Sequence, residues 1–257
     1  MTSPVSVAIV TQDEEERLSR CLETLSFADE MVVVDSGSRD STVRVAESFG
    51  CRVIFQPWLG YARQKQHAVD HCHNDWVLIL DSDERVPEET AGDIRKILSQ
   101  SEHSFAGYSF SRKNFFHTRW IRHCGWWPNR VLRLVHRGQG GFSDHLVHEQ
   151  WIPRGPVKSL DAVIEHYSFR NYADLIQKMQ TYSTLAAREM FQEGRNAAWW
   201  DPISHGLWMA FRTYFLELGV LEGFDGFMIA MLNAQGSFMK YAKLREAVIH
   251  GRHLIDL

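Results

Sequence analysis

Two carboxylates separated by one residue, Asp81 and Asp83, follow directly on the apolar run Trp76-Val77-Leu78-Ile79-Leu80. Core packing gives no reason for such a pair. Hard divalent cations take oxygen ligands, and Mg²⁺ is typically held by one or two carboxylates together with phosphate oxygens. Asp81-Ser82-Asp83 is therefore expected to hold a cation on a diphosphate; the plainer alternative is a solvated acidic turn continued by Glu84. Asp35 ends a second apolar run, Met31-Val32-Val33-Val34, and precedes Ser36-Gly37-Ser38. It can hydrogen-bond a base, although Ser, Gly and Asp are also the usual residues of a strand-to-helix turn. Gln64 and Lys65 open a helix after Gly60-Tyr61, where amide or amine groups can meet phosphate oxygens. Asp144-His145-Leu146-Val147-His148-Glu149 offers Glu149 or Asp144 as a general base, and His148 or His166 as a metal or phosphate contact. His71-Cys72-His73 is a weak metal motif, because adjacent residues point in different directions at a helix end.

These residues need a frame. Val5–Val10 reads as a buried strand, Glu14–Leu25 as a helix with Leu18, Cys21, Leu22 and Leu25 on one face, and Glu30–Asp35 as a second strand. A helix over Ser41–Phe49, a strand over Arg52–Phe55, a helix over Arg63–His71 and a strand over Asp75–Leu80 continue the alternation. Strands alternating with helices imply right-handed crossovers and a mostly parallel sheet. Ligands of such sheets sit outside the carboxyl ends of the strands. Thr11, Asp35 and Asp81-Ser82-Asp83 all fall there, which predicts a mononucleotide site. Neither Gly-x-Gly-x-x-Gly nor a Walker lysine loop is present, so dinucleotide and P-loop folds lose support.

Composition narrows the class. The chain has 257 residues, 44% apolar, and a net charge of −4, which excludes disorder and argues against a nucleic-acid partner. Its four cysteines lie far apart with no Cys-x-x-Cys, fitting reduced thiols in a cytoplasmic protein rather than a disulfide framework. No secretory signal is visible, and no window reaches the ~18 uncharged apolar residues of a membrane span. From His103 to Ser143 there is no Asp or Glu, while arginines alternate with aromatics. This basic, aromatic segment suits an anionic, amphipathic ligand. Beyond His166 apolar residues recur at helical spacing, with aromatic faces suited to the sheet, a second copy of the chain, or lipid.

In order and spacing, Thr11-Gln12-Asp13-Glu14-Glu15, then Val32-Val33-Val34-Asp35-Ser36-Gly37-Ser38, Gln64-Lys65, and Leu80-Asp81-Ser82-Asp83-Glu84 resemble family 2 glycosyltransferases of the GT-A fold. Arg133-Leu134, Val147-His148-Glu149 and the late Gly219-Val220-Leu221-Glu222-Gly223 narrow the resemblance to bacterial lipopolysaccharide core glycosyltransferases of the β-1,4-glucosyltransferase type. Three positions depart from that pattern: Asp13 and Gln66 stand where the family has Asn, and Glu222 where it has Asp.

The resemblance implies an α/β GT-A domain over residues 1–165 and a helical region over 166–257. It implies an inverting, metal-dependent transfer of a sugar, glucose first, from a UDP-sugar to an inner-core lipopolysaccharide or related glycolipid. Thr11, Glu14, Asp35, Gln64, Lys65 and Asp81 are the expected donor contacts, Asp83 and His166 the ligands of Mg²⁺ or Mn²⁺, and Glu149 the base. Arg130, Arg133, Trp127 and His148 are the expected contacts to the anionic glycolipid. Such an enzyme would work at the inner face of the inner membrane, with a peripheral lipid contact or a homodimer formed through the helical region. The competing reading is a nucleotide-sugar-binding scaffold or regulator without turnover. A nucleotidyltransferase would want a Gly-rich basic loop where this chain has Gln12-Asp13-Glu14-Glu15-Glu16.

Overall fold

A computed structural model of the chain describes residues 3–100, 103–143 and 150–251. It begins with strand β1 (Val5–Thr11), helix α1 (Glu15–Leu22), β2 (Glu30–Asp35), α2 (Thr42–Ser48), β3 (Arg52–Phe55), α3 (Tyr61–Asp70) and β4 (Trp76–Asp81). This matches the expected alternation within a few residues at each end. α1 forms because Leu18, Cys21 and Leu22 make one buried stripe, with Glu15 and Glu16 in its first turn and Arg20 in its last, each sign favoured by the helix dipole. Then come β5 (Glu84–Arg85), α4 (Glu88–Leu98), β6 (Gly107–Phe116), β7 (Arg119–Trp120), β8 (Asn129–His136), β9 (Gly140–Phe142), β10 (Trp151–Pro153) and β11 (Val157–Phe169). Helices α5 (Tyr172–Gln192), α6 (Asp201–Phe211) and α7 (Gly223–His250) complete the chain.

The main sheet has the order β3-β2-β1-β4-β8-β6-β11-β5, with β7 beside β6. The α/β expectation holds, and pairing is parallel through β3, β2, β1 and β4. Beyond β4 it turns antiparallel, at β4–β8, β8–β6 and β11–β5. The sequence reading placed no strand between residues 103 and 165. In β6 the alternation Tyr108-Ser109-Phe110-Ser111 covers only four of ten residues before Arg112-Lys113-Asn114 break it, and the serines are buried together with the aromatics, so the strand's full length carries no period of two.

The chain folds as two compact units, Met1–Lys113 with Asn129–Tyr167, and Asn114–Pro128 with Ser168–Leu257. In the first, alternate residues of β1 and β4 point to opposite faces. Val7, Ile9, Leu78 and Leu80 meet Leu18, Leu22 and Ile94 of α1 and α4. Ala8, Val77 and Ile79 meet Ala68 and Val69 of α3. In the second, Phe116, Ile121 and Cys124 pack with Leu175, Ile229 and Leu232. Its second apolar stripe, expected as helix to Leu218, leaves α6 at Phe211 and passes through one wide turn over Arg212–Leu216. The four cysteines are free and buried, and burial pushes Cys51 up to about 11 and Cys72 to about 12. Among the described residues no helix is long and apolar enough to cross a membrane.

Candidate active site

Parallel register sets Thr11 opposite Asp35 and Val10 opposite Asp81, so the ends of β1, β2 and β4 share one edge. Thr11 is buried, and its Oγ1 has no hydrogen-bond partner among the described residues. A buried hydroxyl without a partner costs free energy, which a ligand at this edge would recover. Asp35 is also buried, and it shapes the following turn by accepting from the Gly37 and Ser38 amides at 2.9 and 3.0 Å and from Ser38 Oγ. Gly37 has φ +103°, a conformation that L side chains rarely adopt. Asp13 takes φ +53°, accepts from Arg39 N at 2.6 Å, and its own amide donates to Ser38 Oγ at 2.9 Å. The position needs a left-handed residue with a side-chain oxygen, and both Asn and Asp supply that. The departure at residue 13 is thereby accounted for.

Gln64 is fully buried and ties the next loop to this edge. Its Nε2 donates to Ser36 Oγ and to the Gln56 carbonyl, each at 3.0 Å, and its Oε1 accepts from Leu59 N at 3.2 Å. With both ends of the amide engaged inside the protein, Gln64 positions the loop. Lys65, one residue on, reaches Asp81 Oδ1 at 2.8 Å.

Asp81 is clamped from both sides. Arg133 Nη2 donates to Asp81 Oδ2 at 2.7 Å and to Glu84 Oε1 at 2.6 Å. Arg112 Nη1 adds a contact of 3.3 Å to the same Glu84 oxygen, and the Asp81 amide donates to Glu84 Oε2 at 3.2 Å. Burial alone would raise the Asp81 pKa, but Lys65 and Arg133 outweigh it and hold the carboxyl well below the usual carboxylate range. Burial works against the Arg133 charge, and Glu84 and Asp81 reverse that and keep it cationic. Glu84, which read as the tail of an acidic turn, is 0% exposed and anchors the turn from beneath.

Asp83 stands apart from this clamp. Its Oδ1 lies 3.4 Å from His166 Nε2, and its Oδ2 lies 3.9 Å from Arg17 Nη1, which in turn holds Glu14 Oε1 at 3.1 Å. Antiparallel pairing of Glu84 with His166 brings β11 here, reinforced by the Tyr167 amide donating to the Asp83 carbonyl at 2.9 Å. Among the described residues no three His, Cys, Asp or Glu side chains form a metal cage. A hard carboxylate beside an imidazole nevertheless fits an Mg²⁺ or Mn²⁺ that takes its other ligands from phosphate and water. Charge balance points the same way. Lys65, Arg17, Arg112 and Arg133 face Asp81, Asp83, Glu84 and Glu14, four cations against four carboxylates among the described residues. An arriving diphosphate would find little unmatched positive charge here.

The expected acceptor residues differ in their surroundings. Arg133 is turned inward on Asp81 and Glu84, so the structure moves it from the acceptor surface to the frame of the carboxylate turn. Arg130 is exposed and donates to the Leu160 carbonyl at 2.9 Å. Trp127 belongs to the second unit and meets Trp120 edge-on at 5.1 Å. The acid-free segment is no uniform basic face: Arg112 serves Glu84, Arg137 bonds the Cys72 and His73 carbonyls, and Arg119 pairs with Glu222 and Asp225. Glu149, Asp144 and His148 lie outside the described residues. Glu222 accepts from the Arg122 and His123 amides at 2.9 and 3.1 Å, and so fixes the loop that carries them. Arg17 and Arg112, in direct contact with these carboxylates, had no motif to single them out. A recess bounded by Ser3, Trp76, His103 and His136 lies at the amino ends of β1 and β4, the far edge from Thr11.

Comparison with known proteins gives the family. The profile described as Glycosyl transferase family 2 matches residues 6–159. The lipopolysaccharide core biosynthesis glycosyltransferase LpsC of Rhizobium meliloti is 30% identical over 253 residues, spanning 94% of this chain and 92% of its own. A glycosyltransferase of Rickettsia felis, described as uncharacterized, is 30% identical over 263 residues, spanning 98% and 93%. Among solved structures, the UDP complex of Staphylococcus aureus TarS is similar at 13% identity and a TM-score of 0.48, covering 97% of this chain and 92% of that one. By the profile over most of its α/β unit and by relatives matched nearly end to end, the chain belongs to the family 2 glycosyltransferases.

Proposed function

We propose that the protein transfers a hexose, glucose first, from a UDP-sugar to an anionic inner-core lipopolysaccharide acceptor, with inversion at the anomeric carbon. The observation that carries this reading is one sheet edge holding the unpartnered Thr11 hydroxyl, the Asp35 turn and the Asp83–His166 pair. The name of the R. meliloti relative supports the acceptor class. Thr11 and the Asp35–Ser38 turn receive the nucleoside, and Lys65 and Arg17 flank the diphosphate. Asp83 and His166 would hold Mg²⁺ or Mn²⁺, which when bound would offset charge on the departing diphosphate. Asp81 keeps its charge at working pH because Lys65 and Arg133 hold it ionised, so the turn arrives preorganised. The acceptor hydroxyl oxygen forms a bond to the anomeric carbon as the bond from that carbon to the diphosphate oxygen breaks. The electron pair leaves with the diphosphate, and the hydroxyl proton passes to the Glu149 carboxylate.

Mass spectrometry of a panel of nucleotide sugars with truncated core acceptor tests this directly, a hexose-sized mass gain with a UDP donor being the expected product. In the same assay Glu149→Gln is expected to lower kcat by ~10²–10⁴-fold with donor binding retained. Unchanged kcat would move the base to Asp144. No mass gain with any donor in the wild-type protein would favour the scaffold reading.

A further inference from the structure

The second unit carries an exposed apolar surface to which the proposed transfer assigns no role. α6 and α7 form an antiparallel hairpin: His205 stacks on Tyr241 at 3.9 Å, and nearer the turn Tyr214 meets Phe227 at 6.1 Å. Two helices packed on one protein neighbour would show a single apolar stripe outward. This hairpin does not. Leu207 with Trp208, Phe215 with Leu216, and Val220 with Leu221 are adjacent in sequence, and all six are 46–68% exposed. The three pairs lie in different segments, on α6, in the wide turn over Arg212–Leu216 and in the tight turn over Gly219–Glu222, so apolar side chains are exposed along the whole hairpin end and not on α6 alone.

The charges of this end are satisfied within the unit. Arg212 Nε pairs with Glu217 Oε1 at 2.8 Å. Glu222 is bound by Arg119 and His123, and Asp225 by Arg119 at 3.3 Å and the Tyr172 hydroxyl at 2.9 Å. A polar partner therefore finds no unmatched charge to recognise. A second copy of the chain would need a self-complementary patch, whereas large apolar side chains exposed along successive segments with their charges paired internally match an apolar medium.

We infer that the α6–α7 hairpin end docks the protein on a phospholipid bilayer, entering its apolar edge without crossing it. Partly exposed Trp208 suits the headgroup level, where indoles collect, and a shallow interfacial seat agrees with the absence of a spanning helix among the described residues. The inference stands apart from the transfer reaction, because binding is read without donor or acceptor.

Vesicle co-sedimentation of the full chain tests it, using phosphatidylcholine alone and phosphatidylethanolamine with phosphatidylglycerol. The wild-type protein is expected on both, with little change at about 0.5 M salt, where surface charges are screened. Leu216→Ser with Leu221→Ser is expected to lower partition at least about tenfold, with an unaltered thermal melt. In the wild-type protein, vesicles should shift tryptophan emission to the blue, and Trp208→Phe should shrink that shift. Protein left in the supernatant, partition lost in high salt, an unchanged double variant, or no emission shift would each overturn the proposal. So would a lipid-free dimer that the double variant converts to monomer, since that would assign the surface to a second copy.

Discussion

Asp83→Ala is expected to reduce sugar transfer by about 10³-fold or more, on the scale of the several kcal/mol a cation contributes to a leaving diphosphate. The variant should also lose the metal dependence of donor binding. The argument rests on charge. Among the described residues Lys65, Arg17, Arg112 and Arg133 beside this edge each face a carboxylate, so on the proposed reading the counter-ion of a diphosphate comes from solution. Asp83 differs from Asp81 in this respect. Asp81 is gripped by Lys65 and Arg133 at 2.8 and 2.7 Å, whereas His166 Nε2 and Arg17 Nη1 lie 3.4 and 3.9 Å from the Asp83 carboxylate. Initial rates, with donor titrations in Mn²⁺ and in chelator, check this. Wild-type turnover by Asp83→Ala in chelator would remove the metal from the account.

Arg133→Met is expected to destabilise the protein by about 3 kcal/mol, the lower end of the cost of stripping one partner from a buried ion pair. Arg112, at 3.3 Å from the same Glu84 oxygen, sets the value at that lower end. Urea unfolding of the two proteins measures it, with equal m-values required for the comparison. The effect has a pH signature. Burial raises the Asp81 pKa, but Lys65 and Arg133 lower it more, leaving it well below the usual carboxylate range. A carboxyl depressed in the folded state adds stability above its unfolded pKa of about 3.9 and loses it as pH falls through the folded value. The gap between wild type and Arg133→Met should therefore be full near neutral pH and narrow below about pH 4. A constant gap down the acid limb would mean that Arg133 acts through packing alone. The same variant should raise the KM for donor, because the turn that carries Asp83 rests on Glu84.

The parallel half of the sheet could be read from the chain because β1, β2 and β4 are mostly apolar runs, each closed by a polar residue at the ligand edge. Thr11, Asp35 and Asp81 were legible for that reason, and their register puts them where the pattern implied. Arg133 was not. Its partners Asp81 and Glu84 lie 52 and 49 positions away, and an arginine among other arginines looks like surface charge until the fold turns it inward. Glu84 was hidden by the reverse effect, since a fourth polar residue after Asp81-Ser82-Asp83 resembles solvent-facing chain although it is fully buried. The antiparallel strands escaped notice because the alternation Tyr108-Ser109-Phe110-Ser111 in β6 is short and is broken at once by Arg112-Lys113-Asn114. In the helical unit the apolar stripes were visible, but Arg119 and Glu222, 103 residues apart, gave no local sign of their pairing.

Anomalous scattering from crystals grown with UDP and Mn²⁺ would test the central claim most directly. The account predicts a manganese peak within bonding distance of the Asp83 carboxylate and of the diphosphate oxygens, with the uracil end toward Thr11 and Asp35. A peak bound elsewhere on the protein, or UDP seated at this edge with Asp83 still turned to His166 and no metal between them, would contradict it.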